Sequence, residues 1–290
     1  MKHRTQKGVI ITAFVLPAMI LLLLFNLYPA VRLFELSFTN WDGLALDYDY
    51  IGLRNYVEMF EGDALETLVN NTAYLFMGLI QIVAALLLAV VLNTKLGGRN
   101  FFRTVIFMPR ILNVVAIAFM FKYLFDFEQG PINEFLRAVG MGHLAIRFFP
   151  NSYAINITLA TISFWQWTGF YMILFLAGLQ SIPNELYEIA SLDGASFRQK
   201  IFHIALPNLA TTVQLQFLLV INGAVKTFQM PLIVTNGGPV NRSSTFVFET
   251  IETAFEYSDF GLAAAMGVFA TFMILLLVWI QRRFVREGEV

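Results

Sequence analysis

Five polar residues mark one otherwise apolar stretch: Thr211, Gln214, Asn222, Lys226 and Gln229. On an α-helix, at about 100° per residue, they fall within about 120° of arc and form a single stripe. Gln216 falls outside it. Amide side chains offer donors and acceptors to hydroxyl groups. Trp165, Trp167, Phe170 and Tyr171 cluster in an earlier apolar stretch, and aromatic faces pack on the C–H surfaces of sugars. The two sets together have the chemistry to line a path for a hydroxyl-rich solute. The competing reading of the stripe is a polar seam between helices, with Lys226 snorkelling to the surface. For the aromatics it is helix packing or lipid contact. Asn113 and Gln81 are single polar residues and read as helix-packing groups.

Other chemistries are missing. There is no cysteine, and His3, His143 and His203 are scattered, which argues against disulfides, thiol catalysis and a His-based metal cluster. The chain lacks G-x-x-x-x-G-K-[ST], H-E-x-x-H and G-x-S-x-G, the signatures of a phosphate loop, a zinc protease and a serine hydrolase.

The elements that must carry these residues are membrane spans. Hydrophobic residues make up 58% and charged residues 13% of 290, with a mean hydropathy of +0.67. Such a chain cannot cover a water-facing surface with charge. A net charge of −1 also argues against nucleic acid as a partner. Six stretches are long enough to cross a bilayer: 8–28, 69–93, 104–125, 157–180, 209–233 and 262–281. The third carries Arg110 beside Pro109, and its first residues could lie along the interface instead. Lys2, Arg4 and Lys7 precede the first span without a clean cleavage site after it, so it reads as an uncleaved anchor. With the N-terminus inside, inside segments hold 11 of the 19 basic residues and outside segments 6; Arg110 and Lys226 fall within spans. That bias predicts both termini in the cytoplasm. The organisation expected is an anchor helix with an external loop over 1–68, a core over 69–281 and a cytoplasmic tail over 282–290. No Asp or Glu lies in any of the six stretches. A stand-alone secondary transporter usually needs an intramembrane carboxylate for its coupling ion, so energy from outside the chain is favoured. A membrane enzyme lacks its nucleophile or metal constellation.

Residues 181–208, SIPNELYEIASLDGASFRQKIFHIALPN, are too polar to span. They read as two short helices around Gly194, which suits a left-handed helix end. Leu186, Ile189 and Ala190 form one apolar stripe, Phe197, Ile201, Ile204 and Ala205 a second, and Pro207 ends the second helix. A surface-lying hairpin and a docking element for a cytoplasmic partner both fit that pattern.

Glu188-Ile189-Ala190, Asp193-Gly194-Ala195 and Ile204-Ala205-Leu206-Pro207 closely resemble the EAA loop of ABC-importer permeases, with Ile189 in place of the middle Ala. Similarity to the carbohydrate-uptake branch covers most of the chain: Tyr50 to Tyr56, Asn71-Thr72, Phe102-Arg103-Thr104 through Pro109, Gly178 to Pro183, and Thr235 to Pro239 with Ser244-Thr245. The resemblance implies an all-α, six-span permease of the type I importer (MetI-like) fold, in the inner membrane of a prokaryote. It implies a second homologous permease, two cytoplasmic ATPases that use ATP and Mg, and an extracytoplasmic solute-binding protein. This chain itself would bind no cofactor. It would also set Glu188, Ala190, Asp193, Gly194 and Pro207 against an ATPase. The path residues expected are Gln214, Asn222, Lys226, Gln229, Trp165 and Tyr171. The solute expected is a sugar or oligosaccharide, with another polyol, such as a glycerol phosphodiester, as the alternative; an anionic substrate would give Lys226 or Arg110 a binding role.

Overall fold

The structure is a computed structural model that describes residues 13–94, 96–149 and 154–284. The basic residues Lys2, Arg4, Lys7, Lys95 and Arg286 of the charge count lie outside the described residues. In chain order the helices are α1 (Ala13–Leu36), α2 (Arg54–Glu61), α3 (Glu66–Asn93), α4 (Arg99–Phe107) and α5 (Val114–Leu124). They continue with α6 (Pro131–Ala138), α7 (Ile155–Ser181), α8 (Asn184–Leu192), α9 (Phe197–Asn208) and α10 (Ala210–Val225). The last are α11 (Phe246–Phe255) and α12 (Phe260–Phe284). Among the described residues the only β pairing is a bridge between Thr39 and Tyr50.

Among the described residues four helices are long and apolar enough to cross a membrane, and two bent pairs raise the count to six if each is one span. The bends correct the third and fifth stretches of the sequence reading. Between α4 and α5 the chain turns by 97°. Pro109 sits in a 3-10 turn over Met108–Ile111, and Leu112 is extended. Asn113, expected as a packing residue, caps α5 instead, its side chain accepting from the Val115 N–H at 2.8 Å. The second bend, 69°, falls between α9 and α10. Pro207 does not stop α9 where it stands. A π turn over Ile201–Ala205 shifts the hydrogen-bond register just before it, and the helix runs on to Asn208. The fifth stretch is not one helix to residue 233, because α10 ends at Val225.

The chain forms two compact units. Of the described residues, one comprises 13–63 together with 250–271; the other comprises those of 64–249 together with 272–284. Segment 250–271 thus groups with the N-terminal residues rather than with the core in which its position suggested it. In the first unit, buried Asn55 donates to the Ser37 and Thr39 carbonyls at 3.0 and 2.8 Å, fastening α2 to the end of α1. Asp42 accepts the N–H groups of Ala45 and Leu44, which hold its carboxyl below the usual carboxylate range. The apolar residues of α1 are exposed along its length, as suits a helix covered by lipid or another apolar surface.

The second unit is built on α3 and α7, packed along most of their length. Ile82, Ala85, Ala89 and Leu92 meet Met172, Phe175, Leu176 and Leu179 in a buried apolar seam. Gln81 is a packing group there, donating to the Phe164 carbonyl at 2.8 Å and to the Thr168 hydroxyl at 3.2 Å. Polar residues tie the helix ends. Asn71 donates to the Ala224 carbonyl at 2.7 Å and accepts the Phe246 N–H at 3.0 Å. Asn156 donates to Asn70 at 2.8 Å, and Asn70 donates to the Ser244 carbonyl at 2.7 Å. In an apolar setting each unmet backbone group is expensive, so side-chain amides at helix ends fix how the chain continues.

Candidate functional site

Two places in the second unit answer to the residues singled out above: an interior cavity and the α8–α9 hairpin.

The cavity holds about 580 Å³, within the size range of small-molecule sites. Its walls come from α3 (Tyr74, Gly78, Gln81), α7 (Gln166, Trp167, Phe170, Tyr171) and the turn before α5 (Arg110, Leu112). The end of α10 and the residues after it supply Asn222, Lys226, Thr227, Gln229 and Met230. Of the predicted path residues, the structure gathers Asn222, Lys226, Gln229 and Tyr171 here. Gln214 lies outside the lining, near the end of the chain, where the Gln281 side chain donates to its carbonyl at 3.0 Å. Trp165 is also outside it, exposed and edge-on to Phe121 at 5.2 Å. Positions 165 and 167 are two apart, and on a helix that puts them on nearly opposite faces; only Trp167 faces the cavity.

The stripe was drawn on a continuous helix, and the helix ends in the middle of it. Lys226 is the C-cap of α10, its N–H bonded to the Asn222 carbonyl at 3.0 Å, and the chain leaves helical geometry before Gln229. Lys226 and Gln229 reach the cavity from this break. The Asn222 amide donates to the Leu218 carbonyl at 2.9 Å, and the residue lines the cavity. Gln216 is buried and donates to the Tyr171 carbonyl at 3.1 Å, so it is a seam residue between α10 and α7.

Arg110, left open by the sequence, is brought to the cavity by a backbone contact. A Cβ at Gly169 would collide with the Ile106 carbonyl, so only glycine lets α4 lie this close to α7. The turn that follows carries Arg110 over α7, with the guanidinium carbon 4.0 Å from the centre of the Trp167 ring.

The hairpin is closed by caps at both ends of its bend. The Ala195 N–H bonds to the Ala190 carbonyl at 2.8 Å and the Gly194 N–H to the Ser191 carbonyl at 3.2 Å. This is a Schellman ending, with Gly194 left-handed at φ +76°. Ser196 then opens α9 in a capping box: the Gln199 N–H reaches its hydroxyl at 3.4 Å, and the Ser196 N–H reaches the Gln199 side chain at 2.7 Å. The S-x-x-Q spacing was visible in the sequence and is a helix-start signature. Lys200 ties the helices together by donating to Ser191 at 2.7 Å.

Of the residues expected at a partner surface, Glu188, Asp193, Gly194 and Pro207 are exposed and Ala190 is half-buried. The two apolar stripes divide. Ala205 is buried, and Tyr187 and Ile204 pack on the α3–α7 core. Ile189, Leu192, Phe197 and Phe202 are exposed, Leu192 by 88%. These four side chains form an apolar patch beside the bend.

Comparison with known proteins agrees with this architecture. The family model described as "Binding-protein-dependent transport system inner membrane component" matches residues 81–287. The chain is similar to the probable ABC transporter permease protein YurN of Bacillus subtilis, at 32% identity over 98% of each chain. It is similar to the multiple sugar-binding transport system permease protein MsmF of Streptococcus mutans, at 28% identity over 96% of this chain and 95% of that one. Its fold matches a chain from a bacterial ABC transporter involved in the import of the acidic polysaccharide alginate, with a TM-score of 0.85, 20% identity and 99% of each chain covered. The all-α, multi-pass architecture, the EAA-type hairpin and these matches lead to one statement: the chain belongs to the family of inner-membrane permease components of binding-protein-dependent transport systems.

Proposed function

We propose that this chain is the membrane permease subunit of an ATP-driven importer of a sugar or oligosaccharide. It has a second, related permease beside it, two ATPase subunits on the cytoplasmic side and a solute-binding protein outside. The observation that carries the reading is the combination in one unit of an amide- and aromatic-lined cavity with a rigid hairpin whose apolar residues stand uncovered. The cavity suits a hydroxyl-rich solute, and the similarity to a multiple-sugar permease supports a saccharide. The hairpin suits a protein cleft, with Glu188, Ala190, Asp193, Gly194 and Pro207 on or near its exposed side. ATP and Mg belong to the ATPases. A short element locked at its bend transmits their rigid-body motion to α7 and α10, which adjoin it in the chain.

This reading needs both termini and the hairpin in the cytoplasm, the orientation that the Lys/Arg distribution supports. The exposed positions Asn241 and Ser196 test it. A cysteine at 241 should react with an impermeant reagent added outside, and one at 196 should not; the reverse labelling would overturn the orientation. For the function itself, the chain is purified from its native membrane in mild detergent. ATPase and permease partners should come with it, and deleting it should abolish uptake of at least one saccharide. A chain that purifies alone, with saccharide uptake unchanged by its deletion, refutes the proposal.

A further inference from the structure

Arg110 and Lys226 both line the cavity, and no Asp or Glu is among its lining residues. The Arg110 guanidinium carbon stands over the Trp167 ring, 4.0 Å from its centre, and 5.9 Å from the centre of the Phe170 ring. Its Nε is buried without a hydrogen-bond partner. The salt bridge Arg32–Glu35 lies in the other unit. The aromatic contact orients the guanidinium but leaves its charge and its forked donors unmatched.

A cation within a membrane bundle is costly to keep and marks a functional position. Here the cost falls on Arg110, and the exposed Lys226 brings a second positive charge to the same cavity. The guanidinium also covers a face of Trp167 that would otherwise stack on a neutral sugar ring. The free donors and the covered ring both favour a ligand with negative charge. Gly169 makes the arrangement possible, since the close approach of Ile106 to α7 sets the turn that carries Arg110.

We infer that the cavity selects saccharides that carry an anionic group, a carboxylate or a phosphate, with Arg110 gripping that group through its fork and Lys226 adding a second charge. This rests on the importer reading above and names its substrate class. An Arg fork binds either anion in two parallel hydrogen bonds, so the ligand chemistry is shared and the experiment separates the sources.

The complete transporter, in native membrane vesicles supplied with ATP and its own binding protein, is given a mixed set of probes. These are trigalacturonate, its neutral fully methylated ester, maltotriose and a trehalose phosphate. Mass spectrometry reads what accumulates, and the amounts of permease and co-purifying ATPase are read in the same samples. The wild-type chain should accumulate the carboxylate or the phosphate probe in preference to the ester and to maltotriose. With the binding protein unchanged, Arg110→Gln should lower the acidic-to-neutral ratio roughly tenfold or more, and Arg110→Lys should recover part of it. Lys226→Gln, at an exposed position, should lower the same ratio by a smaller factor and serves if the Arg110 variants fail to reach the membrane. Preference for neutral probes, or a ratio unchanged in the variants, overturns the inference while the importer reading stands. If nothing accumulates and no ATPase co-purifies, both fall.

Discussion

The cavity wall and the hairpin lie in the same unit and solve opposite problems. In the wall, polar groups point inward and their neighbours are met by backbone. Gln81, in the lining, is held by the Phe164 carbonyl, and behind the wall Gln216 and Asn71 are held by the Tyr171 and Ala224 carbonyls. In the hairpin the backbone is met by its own caps, and apolar side chains point outward with nothing over them. Each region presents a different surface: the wall offers Asn222, Lys226 and Arg110, and the hairpin offers Ile189, Leu192 and Phe202. The wall should therefore respond to substitution through packing and solute, and the hairpin through partner attachment alone.

The largest effect is expected where the wall depends on backbone contact. Gly169→Val places a branched side chain against the Ile106 carbonyl. Overpacking of this kind costs about 1–3 kcal/mol or more, so the amount of folded chain in the membrane should fall sharply in a thermal-stability assay. Normal stability would show that α4 does not lie on α7 as described. Gly194→Val sharpens the contrast. Nothing lies within 4 Å of a Cβ added there, and φ is +76°, so within the chain the penalty is left-handed strain of about 1–2 kcal/mol. The protein should stay in the membrane yet lose ATPase recovery and uptake. Gly194→Asn, which tolerates the same backbone, should retain more of both. If Asn and Val lose ATPase equally, close approach rather than conformation governs the position.

Smaller effects separate the regions further. Leu192→Asp changes a fully presented side chain and should shift stability by less than about 0.5 kcal/mol while lowering ATPase recovered per permease several-fold. Unchanged recovery would mean that the patch is covered by something else. At the wall, Asn222→Ala removes one acceptor and should reduce substrate-dependent uptake by a factor that corresponds to about 0.5–1.5 kcal/mol, with ATPase recovery intact. If uptake holds and recovery drops, the division of labour between the two regions is wrong.

Much of this was legible in the residues. Apolar run length located the four long helices and the neighbourhood of the two bent pairs, because burial in hydrocarbon demands about 20 apolar residues whatever the fold. Gly194, set between two short amphipathic segments, announced the hairpin. Direction was not legible. Apolar composition is the same on both sides of a 97° turn, and only Pro109 and Asn113 hinted at one. The polar stripe assumed that α10 continues past Val225, so it included Gln214, which lies off the cavity, and reached Lys226 and Gln229 by the wrong geometry. Trp165 was separable from Trp167 only once the face of α7 was known. Arg110 depends on a glycine 59 positions later in the chain, and no local pattern joins the two.

The caps of the hairpin have a consequence for assembly. The hydrogen bonds that close the bend, Ala195 to Ala190, Gly194 to Ser191, the Ser196–Gln199 box and Lys200 to Ser191, all lie within the α8–α9 hairpin, so the bend is shaped by the chain itself. Docking then involves no coupled folding, and the conformational entropy of the bend has already been given up when the permease itself folds. A partner docking on this hairpin would meet a bend already shaped, and ordering of the bend would not limit the rate.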